Sequence, residues 1–285
     1  MNLSNVDLTD DEFGRFRDLI YRLAGIRIPI TKRVLIANRV RRRLRATGID
    51  RFSDYLAFLN SPSGGTEQPL FLNEITTNET YFFRDPHQYA WFGSTFLPEL
   101  ARAAAAHRHP RSLRVWSAAC STGEELYSLI LKYLEAKSLF AGWRGMFLGT
   151  DLSGSALAVA RSGRYEARAL RLVGPELRQR YFRAEPDGGH WILEAEARAL
   201  ATWKRHNLLL RPPEEPFDCV FLKNVLIYFD GASKRTVIGH VLRALVPGGY
   251  LVLGPTEGVA ALLTSLTKIH AWLYQKPVEP RSSAR

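Results

Sequence analysis

Cysteine and methionine are scarce, two of each in 285 residues. Cys120 and Cys219 stand far apart with no CxxC spacing, which excludes a disulfide framework or a cysteine zinc site and suits a reducing cytoplasm. No apolar run approaches the roughly 20 residues needed to cross a bilayer. The amino terminus, MNLSNVDLTDDEF, is acidic and mixed rather than basic then apolar, so neither export nor membrane insertion is expected. GxSxG and HExxH are absent, leaving no signature of a serine or zinc hydrolase. HRHP at 107–110 resembles metal ligands only superficially, since it ends an Ala-rich, basic stretch; solvent exposure and no metal are expected. Cys120 reads as a small buried thiol. There is no internal repeat and no low-complexity tract.

Apolar residues make up 46% of the chain, enough for one large α/β domain and a smaller one. The formal charge is +11 and unevenly placed. Residues 22–51 hold Arg22, Arg27, Lys32, Arg33, Arg39, Arg41, Arg42, Arg43, Arg45 and Arg51 against the single acid Asp50. Such a block attracts an acidic partner, either nucleic acid or a carboxylate-rich protein surface.

The first third has helical periodicity. TDDE at 9–12 matches a capping box, and Phe13, Phe16, Leu19, Ile20 and Leu23 form one apolar face. A second helix is predicted from Thr31 to Thr47, with Ile36, Val40 and Leu44 inward, its arginines outward and Gly48 as its stop. A third lies near FSDYLAFLN, and SPSGGTEQP at 61–69 is loop chemistry, a junction or a link between two helices.

From about residue 112, strands alternate with helices, the pattern of a mostly parallel sheet. LRVWSA, MFLGTD, FDCVFLKN and YLVLG read as strands and KIHAWLYQK as a final one. GEELYSLILKYLEAK, SGSALAVARSG (capped by Ser153) and SKRTVIGHVLRALV read as helices, and a polar tail, PRSSAR, follows. Between about 175 and 206 the alternation breaks. QRYFRA, HWILEA and ALATWKRH look like short strands around the turn EPDGG, an inserted antiparallel ribbon of the kind that serves recognition.

RVWSAACSTGEELYS at 114–128 runs from a strand through a small-residue turn into a helix, the nucleotide-binding corner of a doubly wound sheet. Two carboxylates at that helix start, Glu124 and Glu125, would repel a phosphate. An acid closing the next strand, Asp151, can accept hydrogen bonds from ribose hydroxyls at an exposed strand end, and an acid in the first loop can pair with an ammonium group. The ligand that fits is a cationic nucleoside without phosphate, S-adenosylmethionine.

LIYRLAGIRI…KRVLIANRVRRRLRATGI, ITTNETYFFRDPHQY, RVWSAACSTGEELYS, GTDLSGSALAVARSGRY, HNLL, PFDCVFLKNVLIYFD and LVPGGYLVLGPTE, in this order over nearly the whole chain, resemble the CheR-type chemoreceptor glutamate methyltransferases. The resemblance implies a helical, basic, receptor-recognition domain over 1–73. It implies a methyltransferase domain over 74–285, with a seven-stranded Rossmann-like sheet containing one antiparallel strand, and a small antiparallel β-subdomain, at about 175–206, that docks a receptor tail. It places Asn78, Thr80 and Arg84 at the cofactor, with Glu124 or, preferably, Glu125, then Asp151 at the ribose, Asn207 and Leu208 near the adenine, and Lys223 with Asn224. Arg84 and Tyr228 are the catalytic candidates, Arg84 holding the cofactor and substrate carboxylates and Tyr228 near the transferred methyl. Leu126 and Lys223 depart from the family's GEEPYS and RNV, and a lysine cannot make the bidentate contact of an arginine.

The activity implied is methyl transfer to glutamate side chains of a chemoreceptor, giving methyl esters and S-adenosylhomocysteine. A carboxylate with an ordinary pKa of about 4.3 is already an anionic nucleophile and needs no general base, so catalysis reduces to alignment with water excluded. Arg39, Arg42 and Arg43 are the expected contacts to an acidic, helical, cytoplasmic receptor segment. The alternative is methylation of RNA or DNA, motivated by the same basic block. The absence of an NPPY-like motif and of exposed aromatics for base stacking weighs against nucleic acid. A non-catalytic cofactor sensor is a third class, favoured only by Leu126 and Lys223. Taken singly, Asn78 and Thr80 could be turn and cap residues, Tyr228 a strand-end aromatic, and Arg84 a surface ion pair with Asp85.

Overall fold

The computed structural model describes residues 7–186, 188–212, 214 and 216–278. The expected tail at 280–285 lies outside them, as do Asp187 of the EPDGG turn and two positions of the RPPEEP loop.

Among the described residues, four α-helices form the amino-terminal layer: α1 (Asp10–Ala24), α2 (Arg33–Thr47), α3 (Phe52–Asn60) and α4 (Glu67–Ile75). The α1 capping box is complete, Thr9 accepting from the Glu12 amide and Glu12 from the Thr9 amide. Gly48 stops α2 at φ 71°, its N–H bonding Leu44 O, a left-handed cap that glycine adopts without a Cβ clash. Phe16 sits among Phe52, Tyr55 and Phe71 with ring centroids 6.0–6.4 Å apart. Burying each such side chain contributes about 1.5–3 kcal/mol. The loop-like stretch at 61–69 links two helices: only Pro62–Thr66 form a 3-10 turn, and Glu67 already opens α4.

That helix corrects the reading of α2. Arg43 does not face outward but pairs with buried Glu67 of α4, Nε to Oε1 at 2.8 Å and Nη2 to Oε2 at 3.0 Å. Arg39 donates to Ile75 O and Thr77 Oγ1. Arg42 stays largely exposed and pairs with Glu74 at 3.0 Å. The outward prediction holds for Arg42 and fails for Arg43, because the carboxylate that binds Arg43 arrives from α4, whose packing against α2 no local pattern shows.

After α5 (Pro86–Trp91), a π-helical turn and α6 (Leu97–Ala105), the α/β portion begins. Its parts are β1 (Ser112–Ala118), α7 (Glu124–Glu135), β2 (Arg144–Asp151), α8 (Gly154–Ser162), β3 (Arg164–Glu166), α9 (Pro175–Tyr181), β4 (Phe182–Ala184), β5 (His190–Leu193), α10 (Ala195–Ala199), β6 (Ala201–Arg205), β7 (Phe217–Leu222), α11 (Gly231–Ala244), β8 (Leu245–Leu253), β9 (Thr267–His270) and β10 (Leu273–Gln275). Seven strands make the main sheet in the order β6-β2-β1-β7-β8-β10-β9. Among the described residues, β10 alone in it runs antiparallel, to both β8 and β9. The expected single strand KIHAWLYQK is therefore a hairpin, turning at Ala271 and Trp272.

The β-subdomain also differs from its expected bounds. Its order is β3-β5-β4, so it begins at Arg164, and ALATWKRH belongs to the main sheet as β6, parallel to β2. Trp203 of β6 decides this: a Cβ on Gly149 would lie 2.3 Å from its ring, so the indole lies on the bare backbone of β2. An edge strand is only half covered, and its alternation looks like that of an exposed ribbon.

The two portions are stitched together beside the sheet's carboxyl edge. Ile26 bridges Phe229, Arg27 N–H donates to Tyr228 O at 2.8 Å, and Asn207 Nδ2 donates to Leu23 O at 2.8 Å. Ser233 of α11 donates to Gly25 O, where a left-handed glycine at φ 69° leaves its hydroxyl room.

Candidate active site

The carboxyl ends of β2, β1 and β7 surround the switch point of a doubly wound sheet, where ligands bind. A cleft of about 930 Å³, counted out to its open mouth, lies there. Asn78, Thr80, Arg84, Glu125, Asp151, Asn207, Leu208, Lys223, Asn224 and Tyr228 all line it. Glu124 does not: its carboxylate accepts from Thr122 Oγ1 at 2.6 Å and lines a neighbouring cavity against the β-subdomain. Successive residues at a helix start point about 100° apart, so one acid of the pair had to leave the cleft.

The loops around the cleft hold unusual backbone. Ala119 (φ 64°), Ser121 (φ 51°), Asn224 (φ 56°), Phe83 (φ 58°) and Asp85 (φ 66°) are left-handed without being glycine. Each such residue costs of order 1–3 kcal/mol and persists where its surroundings enforce it. Asp151 enforces Ser121: its Oδ2 accepts the Ser121 amide and its Oδ1 the Ser153 amide, both at 2.8 Å. It is only 7% exposed, not the open strand end the sequence suggested. Burial raises its pKa, and the amides of Ser153 and Ser121 oppose that rise.

The floor is a buried charge cluster. Lys223 Nζ donates to Arg84 O at 2.8 Å and lies 3.3 Å from Asp85 Oδ2 and 3.7 Å from Glu125 Oε2. Glu125 also accepts from Ser117 Oγ at 2.8 Å. Burial raises the Glu125 pKa, and the Lys223 ammonium works against it. Asp85 is thus the lysine's partner rather than a surface partner of Arg84. The Arg84 guanidinium donates to Glu79 O at 3.2 Å and borders the cleft. Asn207 lines the wall, but its amide is committed, Nδ2 to Leu23 O and Oδ1 to the Leu209 amide. Tyr228, 38% exposed, stands at the mouth.

Sequence reasoning missed Asp85, Tyr89, Ser121 and His206. Among the described residues, Tyr89 Oη and His206 Nε2 are buried without a hydrogen-bond partner, and both residues line the cleft. Burial lowers the His206 pKa to about 4, with His240 adding to the effect, so its ring is neutral near pH 7. All four lie inside the stretches ITTNETYFFRDPHQY, RVWSAACSTGEELYS and HNLL, but which residues of a stretch face the cleft is decided by where the fold puts them.

Residues 78–272 match the SAM binding domain of the CheR methyltransferases, and residues 11–76 match their all-alpha domain. The chain belongs to the CheR methyltransferase family. Similar relatives include the chemotaxis protein methyltransferase of Salmonella typhimurium, 36% identical over 90% of this chain and 86% of that one. Chemotaxis protein methyltransferase 1 of Pseudomonas aeruginosa is 34% identical over 91% and 92%, and the Escherichia coli protein 36% over 90% and 87%. The donors and acceptors of the cleft suit S-adenosylmethionine. Glu125 and Asp151 line the cleft while Lys223 is divided between Glu125 and Asp85, which leaves carboxylate charge to face a cation, and the Tyr89 hydroxyl and His206 ring nitrogen, unpartnered among the described residues, are polar groups for a polar ligand. The acidic first turn of α7, Glu124 and Glu125, disfavours a phosphate there, and Lys223 is already bound to Arg84 O.

Proposed function

We propose that the protein transfers the methyl group of S-adenosylmethionine to glutamate side chains of a chemoreceptor, forming methyl esters and S-adenosylhomocysteine. When bound, the cofactor supplies an electrophilic methyl group on a sulfonium. The carboxylates of the cleft carry the reading: Glu125 and Asp151 line it, and the neighbouring cation, Lys223, is shared between Glu125 and Asp85. Glu125 would hold the ammonium end, Asp85 drawing on the same Lys223, with Asp151 at the ribose and Leu208 and the neutral His206 at the base. Arg84 would draw in the carboxylates of cofactor and acceptor by charge-assisted hydrogen bonds, and Tyr228 would orient the acceptor at the mouth. An acceptor carboxylate is ionised at neutral pH, so these residues align and desolvate rather than move a proton.

The relatives' names point to chemotaxis, and their similarity spans nearly this entire chain. The acceptor would be an acidic helical segment of a receptor's cytoplasmic part, met by the 1–73 layer, with a receptor tail docking on the β-subdomain. Arg39 and Arg43 are engaged by α4 and the segment after it, so of the three expected contacts Arg42 is the one left largely exposed to an acidic partner. Among the described residues no helix is long and apolar enough to cross a membrane.

The test is incubation with methyl-labelled S-adenosylmethionine and either membranes bearing chemoreceptors or total RNA. Label released from receptor by base as volatile methanol is the expected result. Base-stable label in RNA, with none in receptor, would overturn the proposal.

A further inference from the structure

Beyond β8 the chain turns through Gly254, Pro255 and Thr256, and Glu257 reaches back beneath the segment from Lys223 to Tyr228. The Glu257 side chain is 2% exposed. Its Oε1 accepts the Asn224 amide and its Oε2 the Leu226 amide at 2.8 Å, and the amides of Val225 and Ile227 are directed at the same carboxylate. Consecutive amides in such a turn form a concave nest for an anion. Here the anion is a side chain of the protein itself. Gly254 admits it, since a Cβ at that position would lie 2.6 Å from Glu257 Oε1 and 3.1 Å from the Asn224 nitrogen. Lys234 of α11 fixes the other end, donating from Nζ to Glu257 O at 2.7 Å.

We infer that Glu257 is a positioning residue for methyl transfer, its carboxylate holding the turn that puts Lys223, Asn224 and Tyr228 on the cleft. Asn224 sits at φ 56°, a conformation a non-glycine residue keeps only under constraint. The carboxylate provides that constraint from outside the cleft, which Glu257 does not line. Three cleft residues of different kinds hang on this one turn: the cation of the floor, an amide, and the aromatic ring at the mouth. A lost acceptor would leave the amides of the nest unpaired and let Asn224 leave the left-handed region. Lys223 and Tyr228, on either side of it, would then move apart from their partners. The inference rests on the proposed function only in taking these three residues to serve the reaction.

Glu257→Gln preserves size while replacing part of the acceptor with an NH2 group that faces other N–H groups. Because a misplacement of about 1 Å can cost about 100-fold in rate, kcat per folded molecule should fall by about that factor. The amide proton resonances of Asn224 and Leu226 should move upfield as their charged acceptor is lost. Val237→Ala, which removes two methyl groups from the buried face of α11, serves as a control: it should lower the melting temperature and leave kcat per folded molecule unchanged. If Glu257→Gln does not fold, Glu257→Asp, which withdraws the charge by one methylene, is measured in the same way. A wild-type kcat per folded molecule in the variant that folds overturns the inference. Wild-type protein that methylates RNA instead of receptor overturns the proposed function, and Glu257 is then judged with RNA as acceptor, so the two failures are distinguishable.

Discussion

Arg43→Ala should destabilise the helical layer by about 3–5 kcal/mol, the usual loss when one partner of a buried ion pair is removed. The pair is tightly enclosed: the Arg43 and Glu67 side chains are 17% and 7% exposed. Two parallel hydrogen bonds join them, and Tyr55 Oη adds a third to Glu67 Oε1 at 2.7 Å. Hydrogen bonding to Glu67 raises the Arg43 pKa, while burial, followed by Glu67, raises that of Tyr55. Without the guanidinium, a buried carboxylate is left with one hydroxyl donor. At a urea slope near 3 kcal/mol per M, the upper part of the usual range, the midpoint should fall by about 1–2 M, read by far-ultraviolet circular dichroism. Arg43→Lys should recover only part of it, because an ammonium cannot reproduce the fork. Arg42→Ala is the comparison. Arg42 is 63% exposed, and its surface pair with Glu74 should contribute under about 1 kcal/mol. An unchanged midpoint for Arg43→Ala, together with a raised receptor KM, would refute the burial argument and return Arg43 to the role of a receptor contact.

Lys223→Met should leave Asp85 and Glu125 uncompensated in the floor and raise the Glu125 pKa further. Carboxyl resonances followed through a pH titration would show this, and an unchanged Glu125 titration would refute the floor assignment. His109 is not the exposed residue expected from HRHP: its Nε2 lies 2.9 Å from Asp218 Oδ1 and its Nδ1 2.7 Å from Pro110 O. Both ring nitrogens face acceptors, and the bond to Asp218 raises the His109 pKa. A raised folded pKa means that its stabilisation is complete below about pH 6.5 and is lost as pH rises through the folded value. Urea midpoints should therefore fall over that window in wild-type protein and not in His109→Ala, and equal slopes in the two proteins would refute the pair.

Much of the fold follows from local pattern. The capping box at Thr9, the stop at Gly48, the alternation from residue 112 and the cap at Ser153 are rules of neighbouring residues, and the structure contains each where the sequence put it. The β-subdomain was legible as an interruption but not in its extent. Strand β6 has the exposure of a ribbon, and its parallel ladder with β2, on which Trp203 packs over Gly149, assigns it to the large sheet. The hairpin of β9 and β10 was hidden for a related reason: its two short strands read as one continuous apolar-aromatic run.

The chain's own residues determined the cleft's membership to a large extent, because motifs at the carboxyl ends of parallel strands converge whatever the rest of the fold does. Tertiary structure alone decided how those residues are used. It turned Glu124 away from Glu125, set Lys223 between Asp85 and Glu125, committed the Asn207 amide to α1, and buried Asp151 as the anchor of Ser121. It also placed Glu67 under Arg43, converting a basic face that looked solvated into one tied to its neighbouring helix. The physical reason is common to all of these. A sequence shows which charges and hydrogen-bonding groups exist, but desolvation and pairing act over a few ångströms, and only the packed chain determines which groups come that close.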